Sequence, residues 1–372
     1  MSQRVGVIGG GQLARMMIPA ALNLGLEFCV LAESDESSAR LATTTVGDHK
    51  DAATVLAFAR ECDVITFDHE HVPADVLAAL SDAGVSIYPA PHALHFAQDK
   101  LAMRERLTEL GIPQPDWARA SSAADCEAFI SRHGGRAVAK TPRGGYDGKG
   151  VRFISSSDVV ADWLETGADI LLEEAVSFRR ELAQLIARRP SGEVALWPVV
   201  ETVQANGVCS EVIAPAPGGE GPIEEMAADI ARRVASGLDV TGVLAVELFE
   251  TTDERILVNE LAMRPHNSGH WTIEGAVTSQ FEQHLRAVLN LPLGSTALRG
   301  ESIVMVNILG GPATGALADR LPQALERHPE AKVHLYGKSP RPGRKVGHVT
   351  VLADILEDAV AQARGAAGFF QD

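Results

Sequence analysis

Residues 140–150, KTPRGGYDGKG, combine several glycines with charged and polar residues that could bind a ligand. The four glycines of this segment let backbone amides approach an anion, and its three cations can neutralise one. The spacing is not that of a P-loop, and strands are predicted on both sides, over 136–139 and from Val151. The segment therefore predicts a loop that covers a phosphate. A surface hairpin with solvated charges is the alternative.

Two carboxylates are predicted to face each other on a hairpin. A turn centred between Asp253 and Glu254 would place Glu247 opposite Glu260. Directly opposed carboxylates repel, and apolar neighbours on both strands predict partial burial, which raises the cost. A divalent cation between them would remove the repulsion, and Mg²⁺ bound with a nucleotide phosphate suits such oxygen ligands. The alternative is a pair of solvated glutamates at the rim of a strand.

Two further segments contain residue types that are suited to binding small anions. Residues 259–271, NELAMRPHNSGHW, contain one arginine, two histidines, two asparagines and a serine, which suits the lining of an oxyanion site. A polar helix cap and loop is the alternative interpretation. Residues 336–348, YGKSPRPGRKVGH, contain four lysines and arginines, with His348 as a conditional fifth cation. This basic patch suits a phosphate-bearing substrate, whereas the alternative is a solvated loop.

Residues 9–14, GGGQLA, fit the pattern G-x-G-x-x-A between a predicted strand and a predicted helix. Glu33 ends the next predicted strand, where an acid that binds ribose would lie. Taken alone, these residues are a weak indication of NAD binding, so an NAD-dependent oxidoreductase stays open at this point. A tight turn without a ligand is one alternative. A helix N-terminus that binds the phosphate of another ligand is the other.

Three units must position these segments, because 372 residues are too many for one ordinary core. Strands and helices alternate over the first part of the chain, which predicts a doubly wound domain at 1–98 with a parallel sheet. A central domain is predicted at 99–296, and it contains a compact strand-and-helix unit at about 117–188. A small α/β unit is predicted at 297–372.

Composition excludes several classes of protein. The net charge of −16 argues against binding of nucleic acid through the overall field of the protein. The four cysteines lie far apart without a CxxC pair, which predicts buried reduced thiols rather than disulfides or a zinc site. The sequence shows neither the apolar region of a signal peptide nor a membrane-spanning stretch. We therefore expect a soluble cytoplasmic enzyme that has no membrane partner.

Taken together, these segments resemble the ATP-grasp superfamily and, within it, the PurK family of 5-(carboxyamino)imidazole ribonucleotide synthetases. The resemblance begins at GGGQLARM and covers nearly the whole chain, and its most specific segments are 144–150 (GGYDGKG), 264–270 (RPHNSGH) and 341–348 (RPGRKVGH). It implies an α/β and α+β fold. The expected parts are a biotin-carboxylase-like, doubly wound N-terminal domain, a central ATP-grasp domain and a small C-terminal domain.

The resemblance also implies a reaction. Bicarbonate would attack the γ-phosphate of ATP to give carboxyphosphate, whose carboxyl group would pass to the exocyclic amine of aminoimidazole ribonucleotide. The implied cofactors are ATP and Mg²⁺, the implied partners are these small-molecule substrates, and a homodimer is expected. Another ATP-grasp ligase, such as a formate-dependent glycinamide ribonucleotide transformylase, is the alternative within the superfamily.

Individual roles follow from the resemblance in the same way. For ATP it implies phosphate-binding lysines, a glycine-rich lid, an adenine-contacting linker, a ribose-binding acid and nearby polar groups: Lys100, Lys140, Gly145, Tyr146, Asp147, Gly148, Lys149, Gly150, Glu173, Glu174, Ala175, Val176, Glu181, Gln204, Asn259 and Glu260. The implied magnesium ligands are Glu247 and Glu260. The implied catalytic residues for bicarbonate and carboxyl transfer are Arg264, His266, Asn267 and Lys345, with Tyr146, Asp147 and Lys149 from the lid.

For the ribonucleotide, the resemblance implies Gln12, Glu70, Lys338, Arg341 and Arg344 beside Tyr146 and Asp147, and Asp147 is the candidate base for the amine. The chain departs from the family pattern at four positions, one of which is the unusual Pro142. The family usually has proline in place of Met263, glutamine in place of Val151 and histidine in place of Gln204. The last departure leaves the nucleotide contact of Gln204 open.

Overall fold

The computed structural model describes residues 2–144 and 150–371. Its N-terminal unit contains a parallel sheet of four strands in the order β3-β2-β1-β4. The elements of this unit are β1 (Arg4–Ile8), α1 (Gln12–Asn23), β2 (Glu27–Ala32), β3 (Thr43–Val46), α2 (Ala52–Ala59), β4 (Val64–Phe67) and α3 (Ala74–Asp82). The sequence did not predict β3 or α2. The strand that it predicted at 86–88 is a single bridge between Ile65 and Ile87.

A second sheet carries the glycine-rich segment between two of its strands. It is antiparallel, in the order β5-β8-β6-β7, and the segment leaves β6 and returns as β7. The elements here are α4 (Pro91–Gln98), α5 (Lys100–Glu109), β5 (Trp117–Ala120), α6 (Ala123–Arg132), β6 (Ala137–Lys140), β7 (Val151–Ile154), the 3₁₀ turn Ser157–Val160, α7 (Ala161–Leu164) and β8 (Ile170–Glu174).

The third sheet is antiparallel and joins the central and C-terminal units. Its order is β14-β13-β9-β11-β12-β15-β17-β16, with β10 paired to β9. Its strands are β9 (Phe178–Arg188), β10 (Val194–Leu196), β11 (Val200–Ala205), β12 (Val208–Ala214), β13 (Gly242–Thr251), β14 (Ile256–Ala262), β15 (Ser302–Leu309), β16 (Lys332–Leu335) and β17 (Lys345–Ala353). The domain boundary expected near 297 therefore separates strands that share one sheet, and its position stays a prediction.

Helices cover this sheet and connect it to the N-terminal unit. They are α8 (Pro222–Gly237), α9 (Thr272–Gly275), α10 (Gln280–Val288), α11 (Leu321–Arg327) and α12 (Leu356–Gly368), with 3₁₀ turns at Asn267–Gly269 and Leu317–Arg320. Buried Phe281 and Leu285 of α10 belong to the same apolar core as Met17 of α1. The ring of His284 accepts from the Val243 amide at 3.1 Å and lies 2.7 Å from the Thr66 hydroxyl, so it bridges the two units.

Two general expectations can be compared with this structure. The four cysteines are free, as expected, but only Cys126 is buried, so the prediction of buried thiols is wrong for Cys29, Cys62 and Cys209. Each of these three retains partial contact with solvent because it lies at a margin of its core cluster. Within residues 2–144 and 150–371, the helices are all too short or too polar to cross a membrane.

Candidate active site

Two cavities meet at the predicted pair of carboxylates. A cavity of about 480 Å³ lies between the second sheet (β5-β8-β6-β7) and the third sheet. Another of about 530 Å³ lies between the third sheet and the N-terminal unit. Four side chains line both cavities, namely Lys100, Glu247, Glu260 and His266. A group that is transferred between ligands in the two cavities would therefore pass these four residues.

The first cavity collects most residues that the resemblance implies for ATP. The described members that line it are Lys100, Lys140, Glu173, Glu174, Ala175, Val176, Glu181, Gln204, Asn259 and Glu260. Gly150 lies at the base of the glycine-rich segment, where its carbonyl accepts from the Thr141 amide at 2.9 Å. Gly145, Tyr146, Asp147, Gly148 and Lys149 lie outside the described residues, so their roles stay predictions.

Apolar residues that the sequence did not predict complete the wall of this cavity. Phe153 is 78% exposed, and Val151 lies two residues before it on the same face of β7. Phe178 stacks on Phe249 with ring centroids 4.8 Å apart. Large apolar side chains that face an open cavity suit contact with a flat ring. The alternation of Val151 and Phe153 in the sequence was the available indication of this face.

Lys140 of this cavity belongs to a buried cluster whose charges compensate each other. Glu173 binds Lys140 at 2.7 Å and Arg104 at 2.7 Å. Burial alone would raise the pKa of Glu173, but Arg104 and Lys140 outweigh it and lower the pKa to about 2. Lys140 also donates to Asn259 Oδ1 at 3.1 Å, so the cluster holds β14 as well.

Arg104 is the residue of this cluster that the sequence did not predict. Its side chain has no exposed surface, and it donates to the carbonyls of Val258 and Asn259 at 2.8 Å each. These carbonyls lie directly before Glu260, so Arg104 holds the backbone that carries this carboxylate. Its position on α5 reads in the sequence as an ordinary helix cation, which is why the pattern gave no indication of it.

Glu247 and Glu260 face each other on β13 and β14, as predicted. The turn is centred one half-residue earlier than expected, and a bulge beside Glu247 restores the predicted pairing. Burial raises the pKa of Glu247 to about 8, with further contributions from Glu260 and Glu181. Lys100 pairs with Glu260 at 2.8 Å. Two carboxylates with this unfavourable charge fit a hard divalent cation such as Mg²⁺.

Arg264 and Glu70 come together at the wall of the second cavity, although they were predicted for different substrates. Arg264 Nε donates to Glu70 at 2.6 Å. Burial lowers the pKa of Arg264, but Glu70 and Asp68 outweigh it and raise that pKa above its usual value. The pair thus keeps a permanent cation beside the shared carboxylates, where an oxyanion could bind.

His266 and Asn267 differ in what they offer to a ligand. Burial, Arg264 and Lys345 lower the pKa of His266 well below its usual value, so this ring is neutral, and its Nε2 lies 3.3 Å from Glu247. Asn267 instead exchanges two hydrogen bonds with Asn307, at 2.9 and 2.7 Å. Lys345 lines the first cavity together with both residues. Asn307 was not predicted by the sequence.

The predicted ribonucleotide residues of the two chain ends meet in the structure. Lys338 Nζ donates to Gln12 Oε1 at 2.6 Å across 326 residues of sequence. Arg15 and Arg40 also lie here, because a Cβ placed on Gly337 would be 3.8 Å and 3.1 Å from their guanidinium groups. These two cations were missed by the sequence analysis, since they belong to the N-terminal unit.

The structure places the other residues predicted for the basic patch outside the two cavities or in other contacts. Gln12, Lys338, Arg341 and Arg344 are not among the described residues that line the two cavities. Arg344 donates to the Ser339 carbonyl at 3.2 Å and so closes its own loop. His348 is fully buried, and burial lowers its pKa well below the usual value, so its expected contribution of charge to the patch is wrong.

The N-terminus of α1 is occupied by a side chain of the protein itself. Asp68 accepts from the Ala14 amide at 2.7 Å, and its pKa is raised by burial. A Cβ on Gly11 would lie 2.0 Å from Asp68 Oδ2, so this glycine serves the close approach of that carboxylate. Asp68 therefore takes the Ala14 amide that a dinucleotide or another phosphate at this helix N-terminus would need. Glu33, the expected ribose acid, lies 2.8 Å from His49 instead.

Comparison with known proteins gives a consistent result over the whole chain. Residues 1–98 match the ribonucleotide synthetase preATP-grasp domain, residues 105–281 the ATP-grasp domain, and residues 303–362 the phosphoribosylaminoimidazole carboxylase C-terminal domain. The N5-carboxyaminoimidazole ribonucleotide synthase of Mycobacterium tuberculosis H37Rv is 48% identical, over 98% of this chain and 86% of that protein. The corresponding protein of Corynebacterium ammoniagenes is 47% identical, over 98% and 91%.

Solved structures agree with these sequence relatives. The N5-carboxyaminoimidazole ribonucleotide synthetase of Thermus thermophilus has a TM-score of 0.88 and 38% identity, over 99% of this chain and 98% of that chain. The Aspergillus clavatus enzyme in complex with ADP and 5-aminoimidazole ribonucleotide has a TM-score of 0.89 and 32% identity, over 99% and 98%. The predicted family resemblance and fold class are therefore confirmed.

Proposed function

The chain belongs to the N5-carboxyaminoimidazole ribonucleotide synthase family of ATP-grasp enzymes, and from this premise we propose how its site carboxylates 5-aminoimidazole ribonucleotide. The products are N5-carboxyaminoimidazole ribonucleotide, ADP and phosphate. One observation carries the proposal: the cavity that suits a nucleotide and the cavity that faces the N-terminal unit share Lys100, Glu247, Glu260 and His266. If ATP lies in the first cavity with its γ-phosphate at these four residues, a ligand in the second cavity can reach that phosphate.

The first step transfers a phosphoryl group. A bicarbonate oxygen attacks the γ-phosphorus of ATP, the bond to the bridging oxygen breaks, and ADP and carboxyphosphate result. Lys100 and Lys140 supply positive charge along the phosphates, while Glu247 and Glu260 would hold Mg²⁺. A Mg²⁺ ion held there would neutralise charge on the phosphoryl group during its transfer. Arg104 and Lys140 keep β14 in place for this step.

The second step forms the carbon–nitrogen bond. Carboxyphosphate gives up its carboxyl group with release of phosphate, and the exocyclic amine of the ribonucleotide takes it up and loses a proton. Arg264, held as a cation by Glu70, would bind the carboxyl oxygens beside the shared carboxylates. Asp147 is proposed as the base for the amine, and Tyr146 as its neighbour. An aromatic amine is a weak nucleophile, so positioning in a closed site carries much of the rate.

The test is ADP release with each substrate omitted in turn. We expect release to be strongly stimulated by aminoimidazole ribonucleotide and to need bicarbonate for full turnover, because carboxyphosphate made without an acceptor would be lost. Stimulation by glycinamide ribonucleotide and formate instead would assign the chain to the transformylase reaction. Rapid release with ATP alone, unchanged by aminoimidazole ribonucleotide, would overturn the proposed acceptor.

Three finer statements are proposals that the family resemblance supports. We propose Mg²⁺ as the metal, a homodimer as the assembly and the cytoplasm as the location. Sedimentation velocity of the purified protein tests the dimer, and a single species at the monomer mass would overturn it. Replacing Mg²⁺ by Ca²⁺ tests the metal, because Ca²⁺ accepts longer bonds and looser geometry and should support little turnover.

A further inference from the structure

His270 lies between the side-chain amides of two glutamines at the centre of the molecule. Its ring has no exposed surface. Gln280 Nε2 lies 3.0 Å from Nδ1 of the ring, and Gln12 Nε2 lies 3.5 Å from Nε2 on the other side. Burial, with His266 as the next contribution, lowers the pKa of His270 well below its usual value, so the ring is neutral.

Two hydrogen bonds to the backbone of His266 fix the orientation of the Gln280 side-chain amide. The His266 amide donates to Gln280 Oε1 at 2.8 Å, and Gln280 Nε2 donates to the His266 carbonyl at 2.7 Å. A reversed amide would lose both bonds and would place donor against donor and acceptor against acceptor. Gln280 therefore presents an N–H donor to Nδ1 of His270, and Nδ1 must be the acceptor.

The orientation of Gln12 is fixed in the same way by Lys338. The lysine ammonium is a donor only, so the atom that it meets at 2.6 Å must be the carbonyl oxygen of Gln12. The amide nitrogen of Gln12 then faces His270 Nε2. A neutral imidazole has one acceptor nitrogen and one N–H, and Nδ1 already accepts. Nε2 thus carries the hydrogen, and two donors face each other at 3.5 Å.

We propose that His270 is a positioning residue that reverses the side-chain amide of Gln12 when a ribonucleotide phosphate binds Lys338. The inference rests on the proposed function, which supplies the phosphate. Once Lys338 turns to the phosphate, Gln12 Oε1 becomes available to the N–H of His270. The reversed amide makes the hydrogen bond that the present arrangement denies to His270, and it directs the N–H₂ group of Gln12 towards the phosphate.

The location of the contact supports this assignment. Gln12 is the first residue of α1, Lys338 belongs to the basic loop, and His270 ends the segment that also contains Arg264 and His266. Arg15 and Arg40 beside Gly337 add positive charge where the phosphate would arrive. A phosphate that binds between Gln12 and Lys338 would therefore change the hydrogen bonding of His270. This residue belongs to the segment 264–270, whose His266 lines both cavities.

The first experiment measures the hydrogen on the ring. In ¹⁵N-histidine-labelled protein, with His270 assigned by comparison with His270→Asn, we expect the hydrogen on Nε2 in the free protein. Its ¹H resonance should move downfield when aminoimidazole ribonucleotide saturates the site, because the N–H gains an acceptor. A hydrogen on Nδ1, or an Nε2–H resonance that does not move at saturation, would overturn the proposal.

The second experiment uses binding and kinetics. His270→Asn keeps a polar atom towards Gln280 and removes the Nε2–H, so calorimetry should show roughly a 3- to 10-fold weaker Kd for the ribonucleotide, the effect of one hydrogen bond. The KM for ATP should change less than 2-fold by the same reasoning. His334→Asn is the matched control, since His334 belongs to the same group of rings but pairs with Glu274 at 2.7 Å.

The outcomes separate the two proposals. Equal ribonucleotide affinity of wild type and His270→Asn would overturn the role of His270, as would equal losses in His270→Asn and His334→Asn. Absence of ribonucleotide binding to the wild type would overturn the proposed function, while the position of the ring hydrogen could still be read. If His270→Asn does not fold, His270→Gln replaces it, both for the assignment of the ring resonance and for the binding comparison.

Discussion

Two carboxylate environments lie side by side in the cavity that we propose for ATP. One carboxylate is surrounded by cations, whereas the other faces a second carboxylate. Glu173 is 3% exposed and is bound by the cations of Arg104 and Lys140, which lower its pKa to about 2. Glu247 faces another carboxylate, Glu260, and its pKa is raised to about 8, first by burial. Lys140 contacts both environments, because it binds Glu173 and also donates to Asn259, the residue before Glu260.

The difference distinguishes a carboxylate that holds the structure from one that is prepared for a ligand. The charge of Glu173 is already compensated, so it has nothing to gain from a metal. The charge at Glu247 and Glu260 is compensated only in part, by Lys100 at Glu260, so a divalent cation would be stabilised there. Removal of each carboxylate should therefore affect different properties.

The largest expected effect is on turnover in Glu260→Gln. The substitution keeps the volume and removes one proposed metal ligand, so we expect turnover to fall by about 10³-fold or more, as is typical when a stabilising group for phosphoryl transfer is lost. The folded protein without metal loses a repulsion against Glu247 and also the ion pair with Lys100, so its thermal midpoint should change little. Steady-state ADP release and calorimetric unfolding measure both properties.

Glu254→Gln is the matched control, because Glu254 lies in the turn of the same hairpin, away from the cavities. It should keep turnover and stability near the wild type. Near-normal turnover of Glu260→Gln at limiting Mg²⁺ would show that the metal assignment is wrong. A large fall in its thermal midpoint would show that Glu260 belongs with Glu173 as a structural carboxylate.

The next effect is on stability in Glu173→Gln. Two cations would then be buried with only an amide oxygen between them, and loss of one partner from a buried ion pair costs about 3–5 kcal/mol in the free energy of unfolding. Urea unfolding followed by tryptophan fluorescence measures this change. A loss of less than about 1 kcal/mol, the value typical of an exposed ion pair, would contradict the comparison.

Arg104→Lys should have a smaller effect of the same kind. A lysine keeps the charge but cannot bind Glu173 and the carbonyls of Val258 and Asn259 together, so we expect a loss of about 1–3 kcal/mol. Arg106→Lys is the control on the same helix, where the arginine is partly exposed and pairs with Glu109. Equal stability of the two variants in urea would show that the contacts of Arg104 with Glu173 and the two carbonyls do not stabilise the fold.

The sequence predicted the functional carboxylates better than the structural ones. The pairing of Glu247 with Glu260 follows from strand alternation and the position of a turn, which are local properties. The bulge beside Glu247 shows that the pairing was right although the turn centre was not. The resemblance supplied the fold class and named most of the polar residues that line the first cavity, since these depend on segments whose residue types are specific. Their roles towards ATP stay predictions.

The residues that were missed act through contacts distant in sequence. Arg104 lies on a helix whose polar residues gave no indication that one of them is buried, and its partners come 69 to 155 residues later. Asp68 takes the helix amides that the glycine pattern offered to a ligand. His348 was counted as a conditional cation, but tertiary packing buries it. Local periodicity cannot reveal any of these partners.

The smallest expected effects are two opposite dependences of stability on pH, measured without metal. The pKa of Glu173 is lowered on folding, so its contribution is present above the usual carboxyl value and is lost as the pH falls towards 2. The pKa of Glu247 is raised, so its contribution is present at low pH and is lost as the pH rises through about 8.

Glu247→Gln should therefore remove a decrease in stability of about 1–2 kcal/mol that the wild type shows between pH 5 and pH 9, a modest value because the side chain is 29% exposed. Glu173→Gln should leave that alkaline decrease in place and remove an acidic one. Thermal midpoints in EDTA measure the alkaline slope from pH 5 to pH 9 and the acidic slope from pH 5 down towards pH 2. If the alkaline slope is the same in wild type and Glu247→Gln, the slope does not come from a raised pKa of Glu247. The proposed contrast with Glu173 is then wrong. Mg²⁺ with a nucleotide should abolish the alkaline slope in the wild type and in Glu173→Gln, because a cation bound at Glu247 favours the ionised form of this carboxylate.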